Sequence, residues 1–257
     1  VVINLVFRDK TRGAIYSKII APNGISVTGV REKKEKYLHI YSAIHDRPPF
    51  RPPTPMVHQI IQLLKASIDF PEDILSELPA LPEFSEIAEP FRRELESVLK
   101  KSGTSEYIII NTDASQEYKE WGVENSLALA RRIVSAWPNY HVFLSSAPAR
   151  AESLRALLDA GHPRISYLET PSVLHLAVAI RHARAVVSPD TSVAHFAAAQ
   201  GVPVIGLYLV PNEFLPYAIP HRMLYSTEEK PASSIAIEEV FQALGDLLEE
   251  TAGRSEL

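Results

Sequence analysis

The stretch Ala185-Val-Val-Ser-Pro-Asp190-Thr-Ser-Val-Ala-His195-Phe-Ala-Ala-Ala-Gln-Gly201-Val-Pro-Val-Ile-Gly-Leu-Tyr208 decides the fold. It opens with a short apolar run, Arg184 to Ser188, of the kind that forms a strand buried on both faces. Ser-Pro-Asp-Thr then turns the chain. An alanine-rich helix is expected over Ser192 to Gln200, Gly201 stops it, and Val202 to Tyr208 forms a second strand. The turn therefore lies at the carboxyl end of a parallel strand, where open α/β sheets bind ligands. Small residues Ala197 to Ala199 should let the helix lie close to the sheet.

Working outward, the same alternation repeats. Tyr107 to Asn111, Tyr140 to Leu144 and Ile165 to Leu168 are further strand-type runs. A helix is expected over Glu124 to Ala136, with Leu127, Ala130, Ile133 and Val134 at helical spacing and Asn125 or Ser126 as cap. A second is expected over Ala151 to Ala160, closed by Gly161, and a third opened by Thr170-Pro171. Five strands alternating with helices predict an α/β, doubly wound parallel sheet of Rossmann type. The last helix, Ile235 to Glu250, presents Val240, Phe241, Leu244, Leu247 and Leu248. It either packs on this domain or returns as a strap to the first one.

The portion before residue 80 is less regular. Val1 to Phe7, Ile25 to Val30 and Tyr37 to Tyr41 read as strands, and Gly13 to Ile20 and Met56 to Ile68 as helices. Arg47-Pro-Pro-Phe-Arg-Pro-Pro-Thr-Pro55 is a loop, since proline locks φ and removes donors. Pro71 to Pro82 reads as a connection, and residues 87–101 as an amphipathic helix entering the second domain. The expected division is thus 1–80 and 81–257. Because the first residues already look like a buried strand, sequence is expected upstream.

Composition limits the function classes. The chain has 257 residues, 46% hydrophobic and 22% charged, which suits a soluble globular protein and excludes collagen-like or disordered classes. A net charge of −5 argues against a broad nucleic-acid-binding surface. The absence of cysteine excludes disulfides, thiolate zinc sites and a cysteine nucleophile. No apolar run reaches the length of a membrane span. No His-Asp cluster has metal-ligand spacing, so no metal is expected; no resident cofactor is expected either.

At the turn, the first-helix-turn amides of Thr191, Ser192 and Val193 and the helix dipole favour an anion, most plausibly phosphate. The plain alternative is that Asp190 is a helix cap and His195, five residues on, an ordinary semi-buried histidine.

The pattern Asp-Thr-small-x-x-His-x-Ala-Ala-Ala-x-Gly-x-Pro resembles glycosyltransferase family 9, the bacterial ADP-heptose:lipopolysaccharide heptosyltransferases. Asn111-Thr-Asp-Ala-Ser115 followed by Lys119-Glu-Trp121 is similar to the family's Pro-Gly-Ala-Ser…Lys-Arg-Trp segment. Val2-Ile-Asn-Leu with Lys10 in the following loop resembles a late strand and basic loop of the family's first domain. The resemblance implies the GT-B architecture, two Rossmann-like domains facing each other across a cleft, the N-terminal one incomplete here. It implies an inverting, metal-independent transfer of heptose from an ADP-linked donor to an anionic lipopolysaccharide-type acceptor. It also implies a cytoplasmic protein, peripheral on the inner membrane.

Roles follow by resemblance. The Thr191–Val193 backbone would cradle the diphosphate, with Ser192 where the family commonly has glycine. Asp190 and His195 would shape that site, Lys119 would neutralise diphosphate charge, and Glu152 would bind ribose hydroxyls. Lys10 and Arg12, with Arg31, Lys33, Lys34 and Lys36, would meet the acceptor. The family's general base lies in a glycine-rich loop that this chain does not match, so the catalytic base is unknown. Two departures bear on the donor: Asp113 replaces a glycine, and Glu120 stands where a basic residue is common. Carboxylates beside a diphosphate repel it unless they point away. Two other readings stand beside the transferase: a GT-B-fold binding protein without catalysis, and a nucleotide-sugar epimerase. For Trp121, core packing is the better reading.

Overall fold

The structure is a computed structural model that describes residues 27–30, 43–46, 65, 85–158, 161–212, 214–216, 219–227 and 230–252. The elements expected at 1–7, 13–20 and 37–41, the proline loop 47–55, the connection 71–82 and, Lys65 excepted, the helix 56–68 lie outside these residues. By its contacts the chain forms two compact units, Val1–Leu78 with Asn212–Leu215, and Pro79–Pro211 with Pro216–Leu257.

In the first unit, strands β1 (Val27–Val30) and β2 (Ala43–Asp46) run parallel, with Val27 opposite Ala43 and Val30 opposite Asp46. β1 falls inside the expected strand. β2 was not expected, because Ala-Ile-His-Asp before a proline run carries no apolar signal of its own.

The second unit holds α1 (Ser85–Ser102), β3 (Glu106–Asn111), α2 (Val123–Ala136), β4 (Tyr140–Ser145), α3 (Ala151–Leu158) and β5 (Ile165–Tyr167). It continues with α4 (Val173–Arg181), β6 (Ala185–Pro189), α5 (Ser192–Ala199), β7 (Val204–Tyr208), β8 (His221–Tyr225) and α6 (Ile237–Thr251). The six strands form one parallel sheet in the order β5-β4-β3-β6-β7-β8. Winding starts at β3, runs outward to β5, returns to β6 and runs the other way. The switch point of this Rossmann order lies between β3 and β6.

Both sheet faces are covered, which is why the central strands are continuous apolar runs. Alternate residues serve opposite layers. Ile108 and Ile110 join a core with α2, α3 and α6, whereas Ile109 joins a core with α1, α4 and α5. Helix α5 approaches the sheet through Ala194 and Ala197, both fully buried. That is an i, i+3 pair, not the expected run 197–199, and Ala199 is exposed. Gly201, at φ +74°, ends α5: its N–H bonds Ala198 O at 3.1 Å and the Val202 N–H bonds Ala197 O at 3.0 Å, the paired bonds of a Schellman turn.

Several expectations shift. The cap of α2 is Gly122 at φ +94°, not Asn125 or Ser126. Asn125 instead donates to Trp121 O and Ser233 O, and Ser126 donates to Gly122 O. Helix α4 begins after Ser172, so Pro171 precedes it by two residues. β8 is a sixth strand where five were expected. Helix α6 spends Val240, Leu244 and Leu247 on the core it shares with α2, with Phe241 stacked on Trp137 at 4.7 Å. Its apolar face packs within the second unit.

Candidate functional site

At the switch point, the loops that leave β3 and β6 meet. Asn111 ends β3, and its side-chain amide donates to Asp113 O at 2.9 Å. The same nitrogen lies 3.4 Å from both Ser188 Oγ, near the end of β6, and Thr191 Oγ1, on the loop after it. Ser188 Oγ and Thr191 Oγ1 are 3.0 Å apart. Thr191 is the cap of α5: its hydroxyl accepts the Val193 N–H at 3.3 Å. Asp190 is therefore not the cap, which corrects the plain reading of that residue. The remaining amides of the first turn have no intrahelical partner. Ser192 is the first helical residue, a conformation open to any side chain, so a glycine is not required there.

Lys119 closes a 3-10 turn, Glu117–Lys119, on the loop after β3. Its ammonium meets Asp190 Oδ2 at 2.9 Å, with both side chains mostly shielded from water. Two of the charged residues expected at the site, 71 positions apart, thus sit together. Trp121 anchors the end of this loop. It is buried, as core packing required, and its indole N–H donates to Ile235 O at 2.9 Å. His195 is exposed on the first turns of α5. Its pKa is lowered because neighbouring protein atoms displace water, and the Asp190 charge acts in the opposite sense. Tyr208, fully buried at the end of β7, has its phenol pKa raised, first by burial and then by the charge of Asp190.

Glu152 is exposed in the first turn of α3, beyond the carboxyl end of β4. It is on the site's side of the sheet, but no bond joins it to the Lys119–Asp190 pair. Lys10 and Arg12 lie outside the described residues, as do Arg31, Lys33, Lys34 and Lys36.

The two carboxylates expected to repel an anion are engaged elsewhere. Asp113 Oδ2 accepts the Ala147 N–H at 2.6 Å and its Oδ1 accepts the Thr112 hydroxyl at 3.0 Å. Glu120 Oε2 accepts from Arg150 at 2.7 Å. Asn111, Ser188 and Arg150 also belong to this network, and sequence reasoning did not place them there. A polar residue at the end of an apolar strand beside the switch point was the available signal for Asn111. Nothing in the sequence pointed to Arg150. A groove of about 560 Å³, lined by Glu106, Arg181, His182 and Arg184 among others, opens at the other end of the sheet, where the strands begin. Among the described residues, no group of three or more His, Asp or Glu side chains is placed to hold a metal ion. Among the same residues, no helix is long and apolar enough to cross a membrane.

A Rossmann-type sheet with an amide-lined turn and a lysine at its switch point defines a doubly wound α/β protein, the class that binds ligands at that point. The sequence profile of glycosyltransferase family 9 (heptosyltransferase) matches residues 10–242. The chain belongs to this family and is a glycosyltransferase of GT-B architecture. Solved structures agree in fold. A family 9 glycosyl transferase from Veillonella parvula matches with a TM-score of 0.63 at 16% identity, over 95% of this chain and 80% of its own. The ADP-heptose lps heptosyltransferase II of E. coli matches at 0.61 and 18%, over 95% and 76%. The E. coli heptosyltransferase WaaC with ADP matches at 0.64 and 17%, over 95% and 72%. No curated protein matches the chain by sequence.

Proposed function

We propose that this glycosyltransferase moves a heptose from an ADP-linked donor to a lipopolysaccharide-type acceptor. One observation carries the reading: Lys119 and Asp190, 2.9 Å apart, stand beside the Thr191-capped turn at the switch point. The structure of WaaC, a heptosyltransferase of the same fold, was solved with ADP, which supports the choice of nucleotide.

In this reading the diphosphate lies against the amino end of α5, where unpaired amides and the helix dipole favour negative charge. Lys119 supplies a point charge. An ammonium has three protons, so it can hold Asp190 and a phosphate oxygen at once. Asp190 keeps it paired and aimed when no donor is present. The acceptor hydroxyl attacks the anomeric carbon as the bond to the diphosphate oxygen breaks, inverting the configuration. The hydroxyl proton passes to a general base, and negative charge grows on the departing phosphate. Donors fixed at that phosphate therefore act more strongly in the transition state than in the ground state. His195, one turn along the helix, lines the same site, and Glu152 in the first turn of α3 meets the ribose.

The acceptor side falls to the first unit, where Lys10 and Arg12 complement an anionic glycolipid at the inner membrane surface. The test is release of ADP from ADP-heptose in the presence of a heptose-deficient lipopolysaccharide core. Acceptor-dependent release that is lost in Lys119→Ala is the expected result. No release with acceptor present overturns the reading.

A further inference from the structure

Arg150 ends the 3-10 turn Pro148–Arg150, on the loop that leaves β4. Its Nη1 donates to Glu120 Oε2 at 2.7 Å and stands 3.5 Å from Asp113 Oδ1. Both carboxylates are nearly buried, at 11% and 10% side-chain exposure. The other oxygen of Glu120, Oε1, is buried with no hydrogen-bond partner. Glu117, exposed on the same loop, adds a third negative charge facing the guanidinium. The same turn also gives Asp113 the Ala147 N–H. Arg150 and Ala147 thus stitch the loop after β4 to the loop after β3. Glu120 is the immediate neighbour of Lys119, and Asn111 ties Asp113 to the Thr191 turn.

Resting on the donor reading above, we propose that Arg150 is a positioning and charge-compensating residue of the donor site. It cancels the field of Asp113 and Glu120 so that the loop carrying Lys119 can face a diphosphate. The physical reason is that a nearly buried carboxylate is weakly screened by solvent, and its field reaches the neighbouring anion site. Remove the guanidinium and two negative charges remain beside the diphosphate. Remove one carboxylate instead and the local charge becomes more favourable to an anion.

These two changes have opposite signs, which a merely structural role would not produce. The experiment is calorimetric titration with ADP, and separately with inorganic pyrophosphate, at about 0.05 M and 0.5 M salt. Arg150→Ala is expected to weaken ADP binding roughly tenfold at low salt, with the gap narrowing at high salt. Adding Asp113→Asn and Glu120→Gln to that variant restores affinity to within about threefold of the parent. Glu120→Gln alone, which keeps a hydrogen bond to Arg150, tightens binding by about two- to fivefold. This last variant carries the test if Arg150→Ala does not fold. Unchanged affinity in Arg150→Ala overturns the proposal. So does a triple variant as weak as Arg150→Ala, or Glu120→Gln no tighter than the parent. Failure of the unmutated chain to bind either ADP or pyrophosphate removes the donor reading and this proposal together. That result appears before any variant is tested, so the two failures are distinguishable.

Discussion

The two ends of the six-stranded sheet are both polar and both carry cations, yet they meet opposite ends of the flanking helices. At the amino end, a groove of about 560 Å³ is lined by Arg181, His182, Arg184, Gln200 and Gly201. At the carboxyl end, Lys119, Asp190 and Thr191 are held in a web of bonds across three loops. Helix direction separates them. Helices α4 and α5 finish at the amino end, so their carbonyls and the negative ends of their dipoles face the groove. Helices α2, α3 and α5 begin at the carboxyl end and bring amides and positive dipole ends. At the amino end Arg184 stands 3.8 Å from the Glu106 carboxylate, while Lys119 at the carboxyl end adds to a field already positive. An opening and a few arginines are thus poor guides to a site in this fold, and the sense of the helices is a better one.

The comparison can be broken in four ways. The largest effect should come from Trp121, which secures the loop of the carboxyl end. Trp121→Ala is expected to cost about 3–5 kcal/mol of stability, from a lost buried ring and its bond to Ile235 O. A denaturant midpoint unchanged from the parent would show that the loop is secured otherwise.

Next comes pH, acting through the amino half of the sheet. His141 is buried between Ser102 at 3.0 Å and Ser166 at 2.7 Å, and burial, then the charges of Arg164 and His162, lowers its pKa from 6.5 to about 4. Between those values the unfolded chain binds a proton that the folded chain does not. Stability therefore falls as pH drops from 6.5 towards 4, by about 3 kcal/mol in all, and this group contributes no slope above that window. Urea midpoints across the window should show this slope in the parent and a flatter one in His141→Gln. Equal slopes would remove His141 as the cause.

Lys119→Ala should weaken ADP binding by about 1–3 kcal/mol, while Arg181→Ala at the other end leaves it unchanged. The reverse pattern would exchange the roles of the two ends. The smallest effect is Thr191→Ala, which removes the α5 cap and should lower stability by about 1 kcal/mol. Thermal melts of the variant and its parent decide it.

The crossovers from β3 to β7 were legible because each strand is an apolar run and each helix has its own period or stop. β8 was not. His221-Arg-Met-Leu-Tyr225 is an edge strand of half-buried residues with no alternation, and among the described residues no helix separates it from β7. The cap of α2 was missed because Gly122 owes its place to backbone geometry at φ +94°, which sequence does not display. At the site, residue types and the turn were readable, since an Asp-Thr after an apolar run and before an alanine-rich helix has a local cause. Partnerships were not. Lys119 with Asp190 and Arg150 with Glu120 join residues 71 and 30 positions apart, and only the return of the chain through β6 and β4 brings them together. The charges of Asp113 and Glu120 were legible, whereas the Arg150 guanidinium that stands against both was not.

Asn111 carries one more consequence. Its carboxamide has two hydrogens and three acceptors within reach, at 2.9, 3.4 and 3.4 Å, so one acceptor is always underserved. An oxygen arriving beside Thr191 can take over that hydroxyl while the amide turns to Ser188, with no proton stranded. The seam between the two halves of the sheet thus keeps one acceptor more than the Asn111 carboxamide can serve.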